Sequence, residues 1–110
     1  MSVLMVVCSC PDQASAAALA QTLVERRLAA CVNLLPPMQS VYRWQGRIEH
    51  ASEILLLAKT TAPRLPALKD FIVRHHPYEI PEILAFSASD GLPSYLRWVE
   101  DETLPATAQP

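Results

Sequence analysis

Three groups of side chains in this chain carry chemistry beyond packing. The first is the pair of thiols in Cys8-Ser9-Cys10, at the end of a valine-rich apolar run. Residues two apart on an extended strand point to the same face, so both sulfurs emerge on one side. Paired thiolates are soft donors able to hold Cu(I), whereas one core thiol beside one rim thiol is the stronger reading of such a pair. A Cys10 at the rim would be open to oxidation. The second group is His75-His76, directly before Pro77. Imidazoles suit copper and zinc, but a histidine at a helix end also serves by facing the carboxy-terminal dipole. The third gathers Tyr42, Arg43, Trp44 and Arg47. Arginine forks and flat rings suit an anion or planar ligand in a cleft. The same residue types are enriched at subunit interfaces, the stronger reading, and the two are compatible where a cleft lies between subunits.

Other polar residues carry weaker signals. Glu49, Glu53, Tyr78, Glu79 and Glu82 supply oxygen ligands or acid–base groups in principle. Carboxylates near strand ends more often guard an edge or pair with a cation. Lys59 follows a buried-looking run, so a carboxylate partner is expected for it. No Ser-His-Asp order or His-Glu-x-x-His helix is present, and two glycines build no phosphate loop, so no enzyme is read here. Three cysteines without a Cys-x-x-Cys pair support neither a disulfide framework nor a structural zinc site.

Composition narrows the class. The chain has 110 residues, 51% hydrophobic and 18% charged, which fits one folded domain over residues 1–102 with a frayed tail at 103–110. Nine Lys and Arg against eleven Asp and Glu leave a formal charge of −2, against nucleic-acid binding. No apolar run approaches the ~20 residues of a membrane span. The apolar start, residues 1–7, has no Lys or Arg before it. No secretory signal is read there, and the cytoplasm is the expected compartment.

The elements that must position these groups follow from periodicity and proline punctuation. Residues 3–8 read as a short buried strand, and Asp12 after Pro11 is a good N-cap. Apolar residues at helical spacing then predict an amphipathic helix over 13–28. A second strand, 30–35, stops at Pro36-Pro37 and strand character resumes at 41–44. A turn falls at Gln45-Gly46 or near residues 50–52, before the continuous apolar strand 54–58. A second helix begins near Pro63, tolerates Pro66 in its first turn and ends at His75-His76, because Pro77 disfavours helical geometry there. Pro77 and Pro81 frame a stiff loop over 76–82; a short strand, 83–86, and a helix after Pro93 complete the series.

Strand, helix, strand, strand, helix, strand and an added C-terminal helix make an α+β, ferredoxin-like βαββαβ chain. Its helices cover one sheet face. The other face and the long hairpin over 41–60 need cover, which predicts a symmetric homo-oligomer.

The segments Ala30-Cys31-Val32-Asn33, Tyr42-Arg43-Trp44-Gln45-Gly46-Arg47-Ile48-Glu49, Lys59-Thr60, His76-Pro77-Tyr78-Glu79-Ile80-Pro81-Glu82 and Tyr95-Leu96-Arg97-Trp98 resemble the CutA family of divalent-cation tolerance proteins. The likeness runs in order over residues 3–99. It implies a homotrimer built like the PII nitrogen-signalling proteins, cytoplasmic, non-enzymatic and linked to copper (Cu2+) and other divalent cations. By motif, the family's copper ligands fall on Cys8, His75 and His76. Two neighbouring histidines diverge on a helix, so sharing one ion needs a bend that Pro77 supplies. The chain departs from the family at Pro37, at His50-Ala51 and at Cys10, an added thiol that offers a further ligand. A PII-like alternative places a small anionic metabolite between subunits near Arg43, Arg47, Tyr78 and Glu79; Tyr42, Trp44 and Lys59 belong to the same cleft or interface. Two further readings are a hydrolase or isomerase using His76 and Glu79, the least supported, and a structural trimer whose partner protein carries the activity.

Overall fold

Proline and glycine set most of the joints. The structure, a computed structural model, describes residues 3–105. Strand β1 (Val3–Cys10) leads to helix α1 (Gln13–Glu25), and β2 (Cys31–Leu34) and β3 (Met38–Trp44) are separated by Pro36-Pro37. Strand β4 (Arg47–Thr61) runs through a short 3-10 turn (Ala62–Arg64) into helix α2 (Leu65–His75). Strand β5 (Leu84–Ser87) and helix α3 (Pro93–Glu102) follow.

The sheet has the order β2-β4-β1-β5, with β3 also paired to β4, and every pairing is antiparallel. Taking β2 and β3 as one interrupted strand gives the ferredoxin-like order expected from the sequence. Strand β4 is longer than its apolar stretch because the turn sits at Gln45-Gly46, with φ of 50° and 78°. Two positive φ values in a two-residue loop match the twist of the flanking strands. A 15-residue strand spans roughly 50 Å at ~3.3 Å per residue, which accounts for the molecule's 50 Å longest dimension beside 27 and 23 Å.

Alternation along β1 and β4 builds the core. Val6, Cys8 and Cys10 lie opposite Ala58, Leu56 and Ile54. All six are buried against Leu19 and Leu23 of α1 and Leu68 and Ile72 of α2. On the reverse face α3 covers only one end of the sheet, packing Val99 and Leu96 on Val3 and Ala30. Beyond it Met5, Leu84 and Phe86 stay exposed, as do Val41, Tyr42, Trp44 and Ile48 of the hairpin.

Several details differ from the sequence reading. Helix α1 ends at Glu25 rather than residue 28, because Arg27 takes a left-handed φ of 58°. The amides of Arg27 and Leu28 then bond to the carbonyls of Val24 and Leu23, closing the helix end. Strand β3 begins at Met38, since residues 38–40 pair with 51–53 of β4 despite their weak strand propensity. Lys59 bonds to the amide oxygen of Asn33 instead of the expected carboxylate, because both project from the same sheet face. Of the tail expected at 103–110, Thr103 is buried, its hydroxyl donating to the Val99 carbonyl at 2.8 Å. Residues 106–110 lie outside the described residues.

Candidate metal centre and adjoining cleft

The C-terminal ends of β1 and α2 meet on the helix-covered side of the sheet. Pro77 forces His76 out of helical geometry, to φ −82° and ψ 139°. That bend carries the His76 ring inward while His75 keeps its helical place. The two histidines therefore part company. His75 stacks on Phe71 with centroids 4.1 Å apart, and its Nδ1 bonds to the Phe71 carbonyl at 2.9 Å. His76 is buried and meets Cys8 and Cys10, with one donor atom from each of the three lying within 4.8 Å of the others. Of the sequence-matched ligands the structure thus brings Cys8 and His76 together, sets His75 aside, and adds Cys10.

The thiols influence one another. The Cys8 thiol donates to the Ser9 carbonyl at 3.9 Å, and its proximity lowers the Cys10 pKa against the opposing effect of burial. The neighbouring Cys10, then burial, holds Cys8 well above the ordinary thiol range.

The His76 ring is satisfied on both sides. Nε2 bonds to the Ser9 carbonyl at 2.8 Å, while Nδ1 accepts from the Tyr78 amide at 3.0 Å. A neutral ring protonated on Nε2 fits both bonds. Tyr78 tilts against the ring at 4.9 Å and donates its hydroxyl to Glu53 Oε2 at 2.7 Å. Glu53 is buried, and the hydroxyl is a neutral partner rather than a cation. Burial first, then the bond to Glu53, pushes the Tyr78 phenol above its usual range. Ser9 Oγ donates to Glu82 Oε1 at 3.4 Å.

Ser9, Glu53, Tyr78 and Glu82 form one wall of an open cleft of about 720 Å³ between the 77–82 loop and the β3–β4 hairpin. Tyr42, Trp44, Tyr78 and Glu79 line it with Glu53 and Glu82. Arg43, Arg47 and Lys59 are not among the lining residues, so its charged groups are carboxylates. Sequence reading missed the Glu53–Tyr78 pair, which is 25 residues apart and carries no local signal. The Cys8-x-Cys10 alternation was the available signal for the second thiol.

No helix among the described residues is long and apolar enough to cross a membrane. Residues 4–102 match the profile of the CutA1 divalent ion tolerance protein family. A mouse relative, Protein CutA, is 45% identical over 95 residues, 86% of this chain. The chain spans about half that relative's length, 54%. The crystal structure of CutA from Xylella fastidiosa superposes with a TM-score of 0.90 at 45% identity, covering 94% of this chain and 99% of that one. The CutA structure from Archaeoglobus fulgidus, described as a periplasmic divalent cation tolerance protein, gives a TM-score of 0.90 at 30% identity, covering 93% and 99%.

Proposed function

The chain belongs to the CutA1 divalent ion tolerance family, and from that premise we propose that it is a non-enzymatic homotrimer that binds copper or a related divalent cation in the cell's response to such ions. The observation that carries the proposal is the convergence of thiol and imidazole donors within 4.8 Å at a buried strand end. Such donors select transition metals over magnesium or calcium. The family motif puts the ligands at Cys8, His75 and His76, and of these Cys8 and His76 converge. His75 joins them only by leaving its stack on Phe71.

The exposed apolar face supports the oligomer. Met5, Leu84 and Phe86, together with the hairpin's Val41, Tyr42, Trp44 and Ile48, offer more apolar surface than an isolated small domain usually leaves to water. Neighbouring copies would cover it and turn the cleft into an intersubunit site near Arg43 and Arg47. The carboxylate lining disfavours the PII-like alternative of an anionic ligand in that cleft. We place the protein in the cytoplasm on the strength of its three free thiols. Cell fractionation tests that placement, and recovery outside the cytoplasm overturns it.

Calorimetric titration with Cu(II), on wild type and on Cys8→Ser and His76→Ala, tests the metal reading. The expected result is saturable binding lost in both variants, with wild type stabilised by an amount that grows with the logarithm of free metal above the dissociation constant. Equal heats in all three proteins overturn it. Sedimentation at micromolar concentration tests the trimer; a folded monomer alone overturns that part.

A further inference from the structure

We infer that Cys10 is the third donor of this site, so that Cys8, Cys10 and His76 form a two-thiolate, one-imidazole centre for a thiophilic divalent d10 cation such as zinc or cadmium. The inference rests on the metal-binding reading above and adds to it a donor set and a class of ion.

Geometry comes first. Cys8 and Cys10 stand on one face of β1, opposite Leu56 and Ile54 of β4, whose pairing holds the backbone on that side, while the β5 pairing ends at Val7. Their sulfurs and a His76 nitrogen already lie within 4.8 Å of one another. Metal–sulfur bonds of about 2.3 Å in a trigonal arrangement set the sulfurs about 4 Å apart. Closing that gap takes side-chain adjustment and leaves the strand in place. His75 starts from a stack on Phe71 and a bond to that residue's carbonyl, and both must break before it can turn inward.

Charge comes second. All three donors are buried, with Cys8 at 0%, Cys10 at 1% and His76 at 8% exposure. An ion entering here forms two metal–sulfur bonds and one metal–nitrogen bond and displaces the two thiol protons to solvent. Two thiolates and a neutral imidazole around a divalent ion sum to zero charge. The same donors around Cu(I) leave a net negative charge in a dry site, near the carboxylates of Glu53 and Glu82. Sulfur-rich, nitrogen-containing sites of this kind select soft or borderline metals, and carboxylate-preferring ions find no oxygen donor in the cluster.

Anaerobic titration of the full, reduced chain with cadmium tests the inference, read by thiolate-to-metal absorption in the ultraviolet and by X-ray absorption of the loaded protein. Wild type should bind one ion per chain with two sulfur donors and one nitrogen. Cys10→Ser and Cys10→Ala should retain one sulfur donor and lose more than about tenfold in affinity, a floor set by what even an outer partner is worth. His75→Ala and Cys31→Ser should bind like wild type. One sulfur donor in the wild-type protein overturns the inference, and that measurement needs no variant to fold. Full affinity in the Cys10 variants with loss in His75→Ala also overturns it, while leaving the metal-binding reading intact. No saturable uptake by wild type, with cadmium or Cu(II), overturns both. Tighter binding of Cu(I) than of cadmium or zinc, measured by chelator competition, refutes the charge argument.

Discussion

Replacing Tyr78 by Phe deletes one oxygen and keeps the ring that tilts against His76. The deleted hydroxyl donates to Glu53 Oε2 at 2.7 Å, and Glu53 is only 7% exposed. A hydrogen bond to a charged group contributes about 1.5–3 kcal/mol, and an acceptor left buried without its donor loses most of that. The expected loss is therefore about 2 kcal/mol of unfolding free energy at neutral pH, or a fall in melting temperature of roughly 8 °C for a domain near 100 residues. Glu53→Gln keeps an acceptor and removes the charge, so its loss should be smaller. The double variant should cost less than the sum of the two single losses, by about 1 kcal/mol of coupling. Urea denaturation at fixed protein concentration is the assay, because self-association makes apparent stability depend on concentration.

Alkaline pH supplies a second reading of the same pair. The Tyr78 phenol is raised above its ordinary value of 10.0 in the fold, by burial and then by Glu53. A group raised in this way contributes stability that is complete below the unfolded value and declines as pH rises above it toward the folded value. Wild type should lose its advantage over Tyr78→Phe as pH climbs past 10. A variant within about 0.5 kcal/mol of wild type at neutral pH, with a parallel alkaline limb, refutes the view that this bond holds the cleft wall.

The remaining predictions concern the fold that carries the site. Gly46→Ala should destabilise the hairpin by about 1–2 kcal/mol, the cost of a side chain at its left-handed φ of 78°. Space is not the reason, since an added Cβ meets nothing within 4 Å; amide exchange across 47–53 should accelerate in the variant. Asp12 Oδ1 accepts from the Ser15 amide and hydroxyl, each at 2.8 Å, and these bonds lower its pKa. Its contribution is present above the ordinary carboxylate range and lost as pH falls through the lowered value. Asp12→Ala should thus be less stable than wild type at neutral pH and converge with it in acid, as melting curves across pH would show.

Much of the fold is legible from runs and breaks. The apolar stretch at 54–58 marks the central strand, the helical spacing of Leu65, Leu68 and Ile72 marks α2, and Pro77 marks its end. What the sequence hides depends on distant partners. Arg27 closes α1 in a conformation that usually calls for glycine, and it is held there from outside: Arg64 Nε donates to its carbonyl at 3.2 Å and its guanidinium pairs with Glu102 at 3.5 Å. Residues 38–40 become a strand because 51–53 present a pairing edge. At the site, alternation told that Cys8 and Cys10 share a face, but the Pro77 bend, expected to let both histidines share one ion, instead turns only His76 inward. Which histidine turned inward was decided by the helix bond from the His76 amide to the Ile72 carbonyl, at 2.8 Å, and by the Phe71 stack.

The proposed metal centre and the cleft could not act independently, because they share the two hydrogen bonds of one imidazole. His76 joins a metal only through a ring nitrogen, and each nitrogen already has a partner: the Ser9 carbonyl or the Tyr78 amide. Whichever bond yields belongs to a residue that lines the cleft. If Ser9 is released, the strand end bearing the Glu82 contact relaxes. Release of the Tyr78 amide instead loosens the backbone that aims its hydroxyl at Glu53. A metal held by His76 would therefore alter the wall of the cleft. In the proposed homotrimer, hairpins packed over this cleft would carry that change to the neighbouring copy.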